Sequence, residues 1–255
     1  MNKVMKISVI TVCFNSAASI AATLDSVASQ THPAIEHIVI DGGSKDSTLA
    51  IISEHGKHVS HLVSEPDKGI YDAMNKGLLL AQGDVIGFIN SDDFYASPAA
   101  LANLARVFSD PLVAACYGDL VYIDPRRQQP LVRYWRAGNF SKQKLRRGWM
   151  PPHPTLYVRR SVFNSIGPFD ATLKIAADYE FILRLLSTDS IKVAYLPEVL
   201  VKMRVGGASN QSISALILKS REDLGALRKH RVGGLLTLLL KNLRKLPQFV
   251  RSPKR

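Results

Sequence analysis

The sequence predicts an α/β protein: a mostly parallel β-sheet flanked by helices, followed by a C-terminal helical, basic tail. Three observations predict it. Short runs rich in β-branched residues alternate with amphipathic runs through the first half of the chain. Polar residues follow those strand-like runs directly, where parallel α/β sheets bind ligands. From Lys219 onward there are eleven basic and two acidic residues, which carry nine of the twelve net positive charges.

Lys6 to Phe14 (KISVITVCF) reads as a short buried strand, and Ser16 to Gln30 as a helix with Ile20, Leu24, Val27 and Ala28 on one face. Glu36 to Ile40 is a second strand. Ser44 to Glu54 follows as a helix with a serine cap and Asp46 in its first turn. His58 to Ser64 is a weaker third strand, Ile70 to Ala81 a helix stopped by Gly83, and Val85 to Asn90 a fourth strand. Ser97-Pro98 is expected to open the next helix, with serine as cap and proline in the first position. Val113 to Ile123 is strand-like again. Arg126 to Gly148 holds eight basic residues and no acidic one, with Tyr134, Trp135 and Phe140 interleaved. His153 to Arg160 reads as a strand, Asp178 to Leu186 as an amphipathic helix, and Ile191 to Arg204 as a strand interrupted by Pro197.

Bulk composition bounds the answer further. With 255 residues, 46% hydrophobic and 21% charged, the chain has room for one large ordered domain or a domain with an appendage. Its longest apolar run, Val232 to Leu240, is far short of the roughly 20 residues a spanning helix needs. The opening residues show no secretory signal pattern, and Cys13 and Cys116 read as reduced thiols, so a cytoplasmic location is expected. The basic charge is not accompanied by a nucleic-acid-binding motif, so no nucleic-acid partner is expected.

The chemistry-bearing residues follow the strands. Asn15 comes after the first, Asp41 after the second, Asp67 after the third, and Asp92-Asp93 after the fourth. Two adjacent carboxylates repel unless a cation lies between them, so Asp92-Asp93 either bind a divalent metal ion (Mn2+ or Mg2+) with a diphosphate, or cap a helix. Since Ser97-Pro98 supplies a cap, metal or nucleotide binding is favoured. Asp41, in IVIDGGSKDST, either serves a ligand or closes a tight turn with Gly42 and Gly43. There is neither a dinucleotide fingerprint nor a P-loop.

The runs ISVITVCFN, SVASQTH, HIVIDGGSKDST and SEPDKGIYDAMNKGLLLAQGDVIGFINSDD resemble the nucleotide-binding half of family-2 inverting glycosyltransferases of bacterial glycan biosynthesis. These have the Rossmann-like GT-A fold. A looser resemblance continues through GPFDATLKIAADYEFILRLL. The resemblance implies that Thr11, Phe14 and Asp41 line the base pocket, with Asn15 and Ser44 among the nucleotide-binding residues. It implies that Asp67 and Lys68 close over the nucleotide, that Asp92 meets the ribose or the metal, and that Asp93 holds the metal. Asp178, in AADYEF, matches the family's general base. Independently, an inverting transfer needs one carboxylate to deprotonate the acceptor hydroxyl; a helix cap is the plainer alternative.

Two departures stand out. Ala177 occupies a position where many relatives have Glu, and Gly206-Gly207 occupy the region where many have a metal-ligating histidine. His153 and Arg204 are candidate diphosphate or acceptor contacts. The domain reading is a glycosyltransferase domain over residues 1–210, with a nucleotide half to about 123 and an acceptor half from 124. Residues 211–255 then form amphipathic basic helices. Ile213, Leu216, Ile217, Leu224 and Leu227, then Leu235, Leu236, Leu239, Leu243 and Leu246, recur at helical spacing. Lys241, Arg244, Lys245, Arg251, Lys254 and Arg255 stand among or after them. Such a segment suits the inner face of an anionic membrane, with core packing as the alternative.

The expected function is metal-dependent, inverting transfer of one sugar from a UDP-sugar to a hydroxyl of a polysaccharide or lipid-linked glycan. A sugar-nucleotide nucleotidyltransferase and a non-catalytic membrane-surface scaffold are the alternatives.

Overall fold

The computed structural model describes residues 4–124, 126, 131–205 and 213–244. One sheet organises them, with strands ordered β3-β2-β1-β4-β8-β6-β9-β5 and β7 paired to β6. β1 (Ile7–Cys13), β2 (Ile35–Asp41), β3 (Val59–Ser64) and β4 (Val85–Asn90) are mutually parallel. Helices α1 (Ile20–Ala28), α2 (Thr48–His55) and α3 (Ile70–Leu80) connect them, as the alternation predicts. β5 (Asp93–Tyr95) and α4 (Ala100–Val107) follow, then β6 (Val113–Ile123) and β7 (Leu131–Trp135). β8 (Tyr157–Arg159) is antiparallel to both β4 and β6, whereas β9 (Lys192–Arg204) runs parallel to β6.

Both faces of the sheet are covered. In β1, Ile10 and Val12 pack in the cluster that includes Met74 of α3 and Ile182 of α7 (Ala177–Ser187). Ile7 and Val9 turn to the opposite cluster, with Val27 of α1 and Leu104 of α4. Strand side chains alternate between faces, so a strand buried on both sides carries apolar residues on each, as β1 does, with Ser8 and Thr11 as its buried polar residues. Beyond α5 (Lys142–Arg146) and α6 (Arg160–Ile166) lie α8 (Ile213–Lys229) and α9 (Leu235–Leu243). Ala226 and Leu227 of α8 join the same core as α7.

Several elements differ from the sequence expectation, each for a local reason. Ser97-Pro98 does not open α4, which starts at Ala100; the Ser97 carbonyl accepts from the Gln30 amide instead (2.9 Å). α2 starts at Thr48 because Asp46 accepts the Thr48 amide (3.0 Å), leaving Ser44 in the loop before it. His153–Thr155 is a 3-10 turn ahead of β8. β9 continues through Pro197 because the pairing with β6 shifts register between Tyr195 and Val199, where a missing N–H costs no ladder bond.

Candidate active site

The C-terminal ends of β1, β2 and β3 form one laced wall. Asp41 ends β2 with no exposed surface. The Ser44 hydroxyl donates to its Oδ1 and the Ser64 hydroxyl to its Oδ2 (2.7 Å), while the Gly43 and Ser44 amides donate to Oδ2 at 3.2 and 3.0 Å. Burial alone would raise the Asp41 pKa; these hydrogen bonds outweigh it and hold the carboxyl below its ordinary value. Asn15 has a left-handed φ of 49°, its amide donates to the Ser44 hydroxyl (2.8 Å), and its side-chain oxygen accepts the Lys45 amide (2.9 Å). Phe14 is thereby presented to solvent, 59% exposed.

Gly42 keeps this wall in contact with the loop after β3. A Cβ added there would lie 2.3 Å from Asp67 Oδ2 and 3.4 Å from the Phe14 ring. Asp67 accepts the Gly69 amide (2.8 Å), and Lys68 stands exposed beside it. Phe14, Asn15, Ser44, Asp67 and Lys68 therefore stand together around one groove, and Asp41 orders the loop from beneath it. Thr11 does not reach its surface: it is fully buried, with its hydroxyl 2.9 Å from His37 Nε2.

Asp93 lies in β5 opposite Met203 and is fully buried, while Asp92 is half-buried. The Asn90 amide donates to Asp93 Oδ2 (3.2 Å). Asp93 Oδ1 and Asn90 Oδ1 are buried without a hydrogen-bond partner. Burial, then the neighbouring Asp92 charge, pushes the Asp93 carboxyl well above its ordinary value. Burial also raises Asp92, opposed by Arg204. Two orphaned oxygens beside a second carboxylate form a hard donor set that fits a divalent cation sharing substrate phosphates. Among the described residues, no three His, Cys, Asp or Glu side chains gather as a complete protein cage. The Gly206-Gly207 region lies outside the described residues.

Asn90 also borders a cavity of about 410 Å³, within the usual range for small-molecule sites. Asp178, His153 and Arg204 line the same cavity. Asp178 stands in the first turn of α7, and the Tyr71 hydroxyl shares its proton between the Ile175 carbonyl (2.6 Å) and Asp178 Oδ1 (3.1 Å). Glu222 of α8 accepts the amides of Lys174, Ile175 and Ala176, each at 2.9 Å, which fixes the approach to α7. Ala177 is fully buried in the core, so an acidic side chain at that position would have no water to face. His153 stacks on Phe88 with centroids 6.1 Å apart; burial lowers its pKa against the pull of Asp178, which favours a neutral ring.

Sequence reasoning missed Tyr71, Asn90, Glu222, Lys219 and Lys241. Nothing in the sequence distinguishes Tyr71 from the rest of the Ile70 to Ala81 helix. Lys241 reads in the sequence as one of the basic residues of a membrane-facing amphipathic helix, yet it is buried and lines the cavity. Only the fold shows that α9 turns it inward.

Comparison with known proteins gives the site its context. The model of Glycosyl transferase family 2 matches residues 8–166. A PGL/p-HBAD biosynthesis glycosyltransferase of Mycobacterium bovis is 31% identical over 216 residues, covering 83% of this chain and 82% of that protein. An uncharacterized glycosyltransferase of Mycobacterium tuberculosis is 37% identical over 190 residues, covering 72% of this chain and 70% of that protein. Among solved structures, S. aureus TarS 1-349 in complex with UDP-GlcNAc matches with a TM-score of 0.70 at 20% identity, over 89% of this chain and 66% of that one. A mannosyltransferase, PcManGT from Pyrobaculum calidifontis, in complex with GDP-Man and Mn2+, matches with a TM-score of 0.68 at 19% identity, over 98% of this chain and 74% of that one. At such identities the structures establish the shared GT-A fold, and the sequence matches establish the family. By the family-model match over residues 8–166 and by the identity to its curated relatives, the chain belongs to Glycosyl transferase family 2.

Proposed function

We propose that the protein transfers a single sugar from a UDP-sugar to a hydroxyl of a polysaccharide or lipid-linked glycan, with inversion at the anomeric carbon. The observation that carries this reading is the shared cavity: Asp178 and Asn90 line one space, and Asp93 lies hydrogen-bonded behind Asn90. Phe14, Asn15, Ser44, Asp67 and Lys68 would bind the nucleotide beside it, on a loop that Asp41 orders from beneath. Asp92 would meet the ribose or metal. Asp93, with Asn90 adjacent, would hold Mn2+ or Mg2+, which when bound neutralises charge on the departing diphosphate.

Asp178 takes the acceptor hydroxyl proton as that oxygen bonds to the anomeric carbon. The bond from that carbon to the diphosphate oxygen breaks on the opposite face, and the nucleoside diphosphate leaves. Tyr71 orients the carboxylate through the 3.1 Å hydrogen bond, and Glu222 fixes the backbone that presents it. Arg204 and His153 are placed to contact the diphosphate or the acceptor.

The protein would act at the cytoplasmic face of the cell membrane. Among the described residues no helix is long and apolar enough to cross a membrane. α9 instead exposes Leu235 and Leu236 (67% and 69%) together with Leu239 and Leu243. Peripheral contact with an anionic lipid surface accounts for both that face and the basic charge around it.

Asp178→Asn tests the mechanism. Turnover should fall by about 10²–10⁴-fold, with UDP-sugar affinity retained. Unchanged turnover would remove Asp178 from the base role.

A further inference from the structure

The cavity beside Asp178 carries more positive charge than the proposed transfer needs. Arg133, Arg204, Lys219 and Lys241 line it, against Asp178 as the carboxylate among the described lining residues. Two of these cations come from the C-terminal helices. α9 is seated on the end of α5: a Cβ added at Gly148 (φ +76°) would lie 2.3 Å from the Lys241 amide nitrogen. The Thr237 hydroxyl donates to the Arg146 carbonyl and Arg244 Nε to the Arg147 carbonyl, each at 2.9 Å. This docking turns Lys241 inward. Its ammonium sits 3.3 Å from the centre of the Tyr179 ring and 2.7 Å from Asp223 Oδ2.

Asp223 also faces Lys219, one helical turn away at 3.5 Å. Two ammonium groups thus share one carboxylate. Neighbouring Glu222 cannot help, because backbone amides already occupy it. Burial, with repulsion from Lys219, lowers the Lys241 pKa to about 8, although Asp223 opposes this. Both lysines line the cavity, Lys241 buried and Lys219 partly exposed, so a phosphate entering there would meet two ammonium groups from adjacent helices. The nucleotide-groove residues Phe14, Asp41 and Asp67 do not line this cavity, whereas the candidate base does.

We propose that Lys241 and Lys219 form an anion subsite for a phosphate group carried by the acceptor, so that the acceptor is a phosphorylated glycan or glycolipid. This rests on the glycosyltransfer reading for the word acceptor. The site's affinity for phosphate does not. The donor diphosphate has the same chemistry, and the experiment separates the two sources.

Inorganic pyrophosphate binding is measured by calorimetry in excess EDTA, which disables any metal-held site. Wild type should bind, Lys241→Met should weaken binding at least about tenfold, Lys241→Arg should restore most of it, and Asp93→Asn should leave it unchanged. Lys219→Met supplies a second probe if Lys241→Met does not fold. In transfer assays, Lys241→Met should raise KM for a glycosyl phosphate acceptor about tenfold, with little effect on an alkyl glycoside acceptor or on donor KM. Pyrophosphate binding that ignores both lysines overturns the proposal, as does a rise in donor KM instead of acceptor KM. Lysine-dependent binding with no transfer to any acceptor would sink the glycosyltransfer reading while leaving the anion site standing.

Discussion

At the scale of single residues, the carboxylates divide by what surrounds them. Asp41 is saturated with hydrogen bonds, so it orders a loop. Asp93 keeps an orphaned oxygen, so it has capacity for a ligand. Beneath the groove, His37 is buried between Thr11 and His58, 2.9 Å from each. Burial, then the His58 charge, lowers its pKa to about 3 from the ordinary 6.5. The folded form therefore resists a proton that the unfolded chain accepts. Stability from this site is complete above pH 6.5 and is lost progressively as pH falls from there toward 3. Urea unfolding of wild type and His37→Gln at pH 7 and pH 4.5 checks this. The variant should lose less stability between the two pH values; an equal loss would exclude His37 as a contributor. Strand-end position made Asp41, Asp67 and Asp92-Asp93 legible in the sequence. It could not show that the Thr11 side chain points beneath the groove, because both faces of β1 are buried and alternation there carries no contrast.

At the scale of elements, the parallel strands were the most legible. β1, β2 and β4 are dense in β-branched residues, and their observed limits, like those of β6, fall within a residue or two of those expected. Helix starts were less so, since the Ser44 hydroxyl turns back to Asp41 in the loop before it and the Ser97 carbonyl is taken by the distant Gln30. In α9 the periodicity was visible but not its orientation. The Leu235, Leu236, Leu239 and Leu243 face lies outward, and Thr237 and Lys241 lie inward. A leucine face left in water calls for an apolar partner. The lipid-surface reading predicts co-sedimentation with vesicles containing anionic lipid, weaker binding to neutral ones, and reduction by salt. Leu236→Ser with Leu239→Ser should lower binding several-fold without loss of folding. Binding unaffected by these changes would place the contact elsewhere.

At the scale of the molecule, the fold joins a regular half to an irregular one. Residues that meet the nucleotide in the proposed reading come from the regular half, where each sits at a strand end. The cavity of Asp178 is closed by β6, β7, β9 and the C-terminal helices, which meet only through long-range packing. Glu222 and Lys241 belong to that second set, and Tyr71 reaches across to Asp178 from α3 of the regular half. Their sequence separations from Asp178 hide any local pattern, and the same charges read alone as a solvated tail. The central claim is that the groove takes a nucleoside diphosphate with a metal ion, and thermal unfolding tests it directly. The folded protein is heated with UDP, GDP, CMP or dTDP, each with and without Mn2+. At about 100 times the dissociation constant a ligand adds about 2.7 kcal/mol, roughly 5–10 °C for a chain of this size. A shift of that size with UDP, requiring the metal and lost in Asp93→Asn, is the expected result. No shift with any nucleotide would contradict the assignment of the groove.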